Sequence, residues 1–159
     1  MFIKLVATAL AVALPIPALA VDFNAPARNP VLAAVEATGT KIHTDHADCS
    51  NPNIDGFYQF DRRADGTKID LMVLCAVNIG SKAELDETIR HEAMHVVQAC
   101  QGGTIFNHAS LNKYRYSALN RNLESYPSDK RSYELEAFVV SQFESDQYVA
   151  DLVYKYCFE

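Results

Sequence analysis

The pattern of apolar and polar residues first indicates a β-hairpin near the middle of the chain. Residues Gly56–Arg62 (GFYQFDR) are aromatic and roughly alternate in polarity, and Thr67–Val77 (TKIDLMVLCAV) is rich in strand-forming side chains. The Ala64-Asp65-Gly66 sequence between them is typical of a tight turn. Because the second run is continuously apolar from Leu71 onward, we expect the far end of that strand to be buried on both faces.

Helical patterns lie on both sides of this hairpin. Pro30–Thr38 (PVLAAVEAT) has a proline in its first turn, and Gly39 is expected to end it. A longer helix is predicted to begin after Ser81, because Ser81-Lys82-Ala83-Glu84 has the form of a capping box. The Gly102-Gly103 pair predicts the end of this central helix.

The C-terminal part of the chain predicts a second long helix. Residues Asp129–Tyr156 contain many helix formers and no Gly or Pro, and Ser128 is the expected cap. Residues 104–127 are expected to be mostly irregular, with one short helix around Asn112–Asn120. The polar segment Lys41–Asn53 is predicted to be a loop.

Composition and charge limit the possible functions. The chain has 159 residues, of which 49% are hydrophobic and 21% charged, as is typical of a single globular domain. Its 14 basic and 20 acidic residues give a net charge of −6, which argues against a nucleic-acid partner held by phosphate contacts. After the N-terminal segment the chain has no apolar run of about 18 residues, so we exclude a multi-span membrane protein.

The N-terminal segment is predicted to be a signal peptide. Lys4 supplies a positive charge, Leu5–Leu14 is a short apolar stretch, and Ala18-Leu19-Ala20 has the form that signal peptidase cleaves. We therefore expect residues 1–20 to be removed and residues 21–159 to form a periplasmic or secreted domain without membrane contact. The alternative is an uncleaved N-terminal anchor, which would export the domain as well.

Export gives the cysteines a structural interpretation. Cys49, Cys75, Cys100 and Cys157 are even in number, and an oxidising compartment favours two disulfides. No pair has the C-x-x-C spacing of thiolate zinc sites or redox motifs. Of the possible connectivities we predict Cys49–Cys75, which closes a loop around the hairpin, and Cys100–Cys157, which ties the C-terminus to the central helix.

The candidate chemistry is concentrated in His91-Glu92-Ala93-Met94-His95, an H-E-x-x-H sequence within the predicted central helix. Residues four apart lie on one helix face, so both imidazoles can reach a single metal ion. Glu92 is rotated by about 100° from His91, which places its carboxylate beside the ion as a general base. Zn²⁺ favours tetrahedral nitrogen and oxygen ligands, and a catalytic site combines three protein ligands with one open position. The alternative is two surface histidines on an ordinary helix.

A third ligand is expected from Tyr133–Phe138 (YELEAF) in the second long helix. Glu136 falls on the apolar face of that helix, where a buried carboxylate needs a partner such as a metal ion. Glu134 lies beside Ala137 and Ser141, small side chains that let this helix approach the central helix closely. Both carboxylates remain candidate ligands, and the remaining possibility is that both are solvated.

H-E-x-x-H followed by E-x-x-A on a second helix resembles the gluzincin type of zinc metallopeptidases. In such families the Glu three places before the Ala is the third ligand, which corresponds to Glu134, with Ala137 matching. An Asp often follows there, whereas this chain has Phe138. The resemblance covers residues 56–145 and implies a small α+β, zincin-like domain. Its short antiparallel sheet would pack on the active-site helix and on the long C-terminal helix, with Zn²⁺ between the helices.

Several further residues are candidates for supporting roles. Gln98, one helical turn after His95, is expected either to orient a ligand or the substrate or to be solvated, and Thr88 is expected to line the floor of the site. A donor for the oxyanion of the transition state is expected between the two motifs. The candidates there are one histidine and four tyrosines: His108, Tyr114, Tyr116, Tyr126 and Tyr133. A polar group in the predicted loop could hold a second ion or be solvated, and its members are His43, Asp45, His46 and Asp48.

These expectations combine into a zinc-dependent peptidase. His91, His95 and either Glu134 or Glu136 hold Zn²⁺, while Glu92 takes a proton from water and passes it to the leaving amine. The substrate is expected to be a peptide or protein that lies extended along the edge strand, and the enzyme is expected to be a monomer. One alternative hypothesis is an exported zinc-binding or interaction domain of the same fold without turnover. Another is a disulfide-stabilised binding module whose histidines are incidental.

Overall fold

The structure is a computed structural model that describes residues 29–107, residue 111 and residues 123–159. The described residues form an α+β domain with four α-helices and a three-stranded mixed sheet. The helices are α1 (Pro30–Ala37), α2 (Lys82–Gln101), α3 (Arg131–Phe143) and α4 (Asp146–Phe158), and the strands are β1 (Lys41–His43), β2 (Gly56–Arg62) and β3 (Lys68–Leu74). The predicted signal peptide and the short helix predicted around Asn112–Asn120 lie outside the described residues. The same is true of three candidate oxyanion donors: His108, Tyr114 and Tyr116.

The sheet contains the predicted hairpin and one unpredicted strand. β2 and β3 are antiparallel, with Gly56 opposite Leu74 and Arg62 opposite Lys68. The prediction of a purely antiparallel sheet was wrong, because β1 pairs with β3 in parallel. The loop predicted over Lys41–Asn53 therefore begins with a strand, which is too short to show a periodic pattern in the sequence. Among the strands of the described residues, the order β1-β3-β2 leaves β2 at an edge of the sheet.

The central helix α2 forms as its capping signals predict. The Ser81 hydroxyl accepts the backbone N–H of Glu84 at 3.2 Å, and the Glu84 carboxylate accepts the N–H of Gly80 at 2.7 Å. Gly102 ends the helix in the left-handed conformation, with φ of 75°. α2 packs against the other three helices and against β2 and β3. The main core around it includes residues from several of these elements: Val31, Met72, Met94, Val97 and Val149.

The prediction of one long helix over Asp129–Tyr156 was wrong. The chain forms two helices there, α3 and α4, and the break falls at Glu144 and Ser145. Ser145 has an extended backbone, and its hydroxyl accepts the N–H of Tyr148 at 3.2 Å, so it caps a new helix where the helix-forming composition shows no interruption. Ser128 does not have the predicted capping role, because α3 begins without a side-chain cap.

Arg90 holds the junction between α3 and α4 against α2. Its Nε donates to the carbonyl of Ser141 at 2.8 Å, and its Nη1 donates to the Asp146 carboxylate at 2.6 Å. Asp146 also accepts the side-chain amide of Asn29, the cap of α1, at 3.3 Å. Hydrogen bonds to charged groups are the stronger kind, so this network orients α4 where it crosses α1 and α2.

Both predicted disulfides are confirmed. Cys49–Cys75 connects the segment before β2 to the end of β3, and Cys100–Cys157 connects the end of α2 to the end of α4. Two disulfides are compatible with an exported protein. Within the part of the chain that the structure describes, no helix has both the length and the apolar character needed to cross a membrane.

Candidate metal centre and cleft

Helices α2 and α3 bring two histidines and one carboxylate to a common point. Nε2 of His91 lies 3.4 Å from Oε2 of Glu134, and Nε2 of His95 lies 3.6 Å from Oε1 of Glu134. One ligand atom from each of the three residues lies within 4.8 Å of the other two. Atoms that share one tetrahedral zinc ion through bonds of about 2.0–2.1 Å lie about 3.3 Å apart. The donor set and the two distances from Glu134 to the histidines are therefore compatible with a zinc ion.

The local structure explains this convergence. His91 and His95 are one turn apart on α2, and their ring centroids lie 4.9 Å from each other. Glu134 lies in the first turn of α3, which packs directly on α2. The three side chains are only 13%, 17% and 14% exposed. The group is thus shielded on most sides but remains accessible from a surface cleft that all three residues line.

Charge interactions within the centre favour an ionised Glu134. Burial disfavours the charged form of His95, but the hydrogen bond to Glu134 and the charges of Glu92 and Glu134 outweigh this effect and raise the pKa of His95 to about 9. Burial also acts to raise the pKa of Glu134, but hydrogen bonds from His91 and His95 lower it to about 2. The metal-free centre therefore presents a carboxylate that is ionised at neutral pH, as binding of a cation requires.

Glu92 lies beside the centre as a buried carboxylate. Only 5% of the residue is exposed. Burial is the largest influence on the pKa of Glu92 and raises it, and the charge of Glu134 acts in the same direction. The charges of His91 and His95 and a backbone hydrogen bond from Tyr58 lower the pKa, but the net shift is upward. A carboxylate with a raised pKa next to an accessible centre has the properties of a general base.

Glu136, the other candidate third ligand, has its carboxylate committed elsewhere. It is completely buried. Its Oε1 accepts the backbone N–H groups of Ile105 and Phe106 at 2.8 and 2.6 Å, and its Oε2 accepts the side-chain amide of Gln98 at 2.8 Å. The structure therefore brings Glu134, and not Glu136, to the two histidines. The apolar helix face did predict a buried carboxylate with partners, but those partners are amide groups.

Tyr126 is the candidate oxyanion donor that contacts the centre. Its hydroxyl hydrogen-bonds the Glu134 carboxylate. Burial, together with the charges of Glu134 and Glu92, raises the pKa of Tyr126 to about 12, so the hydroxyl keeps its proton at neutral pH. Tyr133 also faces the cleft, but its neighbour there is Lys130, whose ammonium lies 5.9 Å from the centre of the Tyr133 ring.

Two further side chains lie next to His91. Thr88 lines the cleft beside His91, as predicted. Phe138 packs its ring against His91, with centroids 4.5 Å apart, at the position where the resemblance leads one to expect an Asp.

The residues proposed for a second ion do not form a ligand group. Nδ1 of His46 accepts the backbone N–H of Asp48 at 3.3 Å and caps a short 3-10 helix, Ala47–Ser50. His43 and Asp45 are exposed. Within residues 29–107, 111 and 123–159, three or more potential ligands meet only at His91, His95 and Glu134.

A cleft passes over the centre and consists of two adjoining cavities of about 680 and 600 Å³. The two cavities share Gly56, His91, Glu92 and Tyr126, so the candidate chemistry lies where they meet. The first cavity also contains three carboxylates, those of Asp55, Glu84 and Glu87. The second contains Lys130 and three aromatic side chains, those of Phe57, Tyr58 and Tyr133. The two ends of the cleft therefore differ in charge.

Gly56, the first residue of β2, is a site residue that the sequence did not reveal. A Cβ atom at this position would lie 2.8 Å from Cγ2 of Thr88, 2.8 Å from the carbonyl of Val73 and 3.2 Å from Cγ of Glu92. The absence of a side chain therefore lets β2 lie directly against α2 beside Glu92. A glycine at the start of a strand was a signal of close backbone approach, but it did not indicate which element approaches.

Comparison with known proteins adds the family and no function. Neither a curated protein nor a solved structure matches the chain. The model of a family described as a domain of unknown function, DUF8637, matches residues 20–158. The chain therefore belongs to the DUF8637 family.

Proposed function

We propose that this chain is a zinc-dependent peptidase with a gluzincin-like centre, in which His91, His95 and Glu134 hold Zn²⁺ and Glu92 is the general base. One observation carries the proposal: the ligand atoms of the first three residues converge within 4.8 Å beside the buried carboxylate of the fourth. Two histidines and one glutamate are a known ligand set of catalytic zinc.

The roles of the protein groups follow from their positions. Bound zinc would supply a Lewis acid that polarises a substrate carbonyl and makes water more acidic. Glu92 would accept the proton of the attacking water and return it to the leaving amine, and burial, which raises its pKa, makes it a stronger base than an exposed carboxylate. The neutral Tyr126 hydroxyl donates to Glu134 in the metal-free centre; with Glu134 bound to zinc, it would turn its proton to the oxyanion that develops on the attacked carbonyl.

The shape of the cleft supports an extended peptide as the substrate. Among the described strands β2 lies at an edge, and its first residues, Gly56, Phe57 and Tyr58, line the second cavity. An extended chain can add to an edge strand through backbone groups that have no partner within the sheet, which here do not include the Tyr58 N–H, because it bonds Glu92. A peptide bound in this way would cross the junction of the two cavities, where Glu92 and His91 lie. The proposal includes export, with the segment 1–20 removed as a signal peptide.

Glu92→Gln tests the proposed reaction directly. The variant keeps the size of the side chain and removes the base, so we expect it to retain zinc and to lose hydrolysis of a mixed peptide library by about 10²-fold or more. Zinc content is measured by elemental analysis on protein purified without a histidine tag, and cleavage is measured by mass spectrometry. Glu36→Gln, which removes an exposed carboxylate on α1, is the matched control.

The possible outcomes separate the hypotheses. A Glu92→Gln variant as active as the wild-type protein would contradict the proposed mechanism. Stoichiometric zinc in a wild-type protein that cleaves no peptide would favour a zinc-binding domain without turnover. Less than about 0.1 zinc per chain would favour a disulfide-stabilised binding module.

A further inference from the structure

A line of hydrogen bonds leads from His95 through Gln98 to Glu136 on the neighbouring helix. Nδ1 of His95 lies 2.8 Å from Oε1 of Gln98, and Nε2 of Gln98 lies 2.8 Å from Oε2 of Glu136. The other carboxylate oxygen of Glu136 accepts the backbone N–H groups of Ile105 and Phe106. Gln98 is 3% exposed and Glu136 is completely buried, so the hydrogen bond between them is shielded from water.

The direction of each hydrogen bond is determined by groups that cannot change their roles. The backbone N–H groups of Ile105 and Phe106 only donate, and they orient the Glu136 carboxylate. The carbonyl of Tyr133, which lies 3.0 Å from Nε2 of Gln98, only accepts. The amide nitrogen of Gln98 therefore faces Tyr133 and Glu136, and its amide oxygen must face His95. An amide oxygen accepts, so Nδ1 of His95 must carry a hydrogen.

We propose that Gln98 and Glu136 are positioning residues of the metal centre: they hold the hydrogen of His95 on Nδ1 and thereby direct the lone pair of Nε2 toward His91 and Glu134. This inference rests on the proposed function in one respect, namely that a metal ion binds at this centre. The tautomer of a ligand histidine is set by the partner of its other ring nitrogen. Here that partner is an amide whose own orientation depends on a carboxylate on another helix.

Glu136→Gln tests the donor and acceptor order along these hydrogen bonds, because it replaces an acceptor by a donor without changing the size of the side chain. The backbone donors at Ile105 and Phe106 retain the new amide oxygen, so the new amide nitrogen must face the amide nitrogen of Gln98. Gln98 can relieve this conflict only by moving away or by turning its NH₂ group toward Nδ1 of His95. Either response removes the acceptor from His95, and we expect the dissociation constant for Zn²⁺ to rise about 10–100-fold.

Gln98→Leu removes the amide oxygen that accepts from Nδ1 of His95 and introduces no new donor. We expect the same 10–100-fold loss in zinc affinity. The matched controls are Glu36→Gln, an exposed carboxylate, and Gln101→Leu, an exposed glutamine at the end of α2. Zinc affinity is measured by competition with a chelator. Thermal unfolding of each metal-free variant gives the fraction of folded protein at the assay temperature. A loss of stability can then be distinguished from a loss of zinc affinity.

A spectroscopic readout distinguishes positioning from a general effect on stability. In the Co²⁺-substituted protein the ring N–H proton of a ligand histidine gives a paramagnetically shifted, exchangeable NMR signal. We expect the His95 signal to exchange slowly in the wild-type protein, because Gln98 accepts this proton in a hydrogen bond. In Gln98→Leu this signal should exchange rapidly or disappear, while the His91 signal persists.

The outcomes separate this inference from the proposed function. Wild-type zinc affinity in folded Glu136→Gln and Gln98→Leu, or a loss that only follows the fraction of unfolded protein, would overturn the positioning role. A wild-type protein that binds zinc but cleaves no peptide would overturn the peptidase and leave the positioning role intact. A wild-type protein that binds no zinc would overturn both.

Discussion

Oε2 of Glu134 lies 3.4 Å from Nε2 of His91, although the two residues belong to different helices. This relationship exists because α3 packs on α2 with the first turn of α3 beside the H-E-x-x-H turn. It makes Glu134 the carboxylate on which the candidate zinc site depends.

Glu134→Ala should weaken zinc binding by more than about 10²-fold, since losing a ligand costs more than losing one of its supporting partners. The measurement is a chelator competition, with circular dichroism as a check that the variant remains folded. Glu36→Ala removes an exposed carboxylate and should leave the affinity unchanged. Zinc affinity in Glu134→Ala equal to that of the wild-type protein would exclude Glu134 as a ligand.

Zinc binding should strengthen as the pH rises from neutrality to about 9. In the metal-free protein the pKa of His95 is about 9, so zinc must displace a proton from this imidazole at pH 7. The pKa of Glu134 is about 2, so this carboxylate is already ionised and contributes no pH dependence there. We expect up to about a tenfold gain in apparent affinity for each pH unit, and no further gain from His95 above its pKa. An affinity that stays constant between pH 7 and 9, after correction for the chelator, would contradict this assignment.

Tyr126→Phe should lower kcat for peptide hydrolysis about 10²-fold and change KM little, because the lost hydroxyl would act mainly in the transition state. Steady-state kinetics on any peptide found to be cleaved provides the measurement. Tyr133→Phe is the comparison variant, since Tyr133 lies in the same cleft and was an equal candidate in the sequence. The reverse result, with the loss in Tyr133→Phe, would transfer the donor role to Tyr133.

Gly56→Ala should destabilise the protein by about 1–3 kcal/mol, because the added methyl group meets the Val73 carbonyl and the Thr88 side chain at 2.8 Å. The same contact should move β2 away from α2 and reduce peptidase activity. Chemical denaturation gives the free energy of unfolding. Gly103→Ala, where no atom lies within 4 Å of the added Cβ, should be close to neutral. Equal stability of the two variants would show that β2 does not depend on this close approach.

Local signals along the chain were sufficient for several elements. The Asp-Gly turn between two strand-forming runs predicted β2 and β3, and Ser81 and Gly102 predicted the limits of α2, because turns and caps are satisfied by groups only a few residues away. The H-E-x-x-H spacing placed His91 and His95 on one face for the same reason. The cysteine pairing was also predicted correctly, although it was chosen among three connectivities.

Other features depended on contacts between distant segments. β1 is a strand only because β3 offers it a parallel neighbour, and the helix break at Ser145 coincides with a junction that Arg90 holds against α2. Helical periodicity left both Glu134 and Glu136 as candidates, and only the resemblance to gluzincins favoured Glu134.

The sequence by itself indicated a candidate metal site and its two histidines, since both follow from residue type and the pitch of one helix. The resemblance pointed to Glu134, but only the tertiary structure shows which glutamate reaches the two histidines. Both glutamates lie on α3, and only the packing of α3 on α2 determines that Glu134 meets His91 and His95 while Glu136 meets the amides of Gln98, Ile105 and Phe106. That choice depends on how two helices cross, and the residues of a single helix do not encode it.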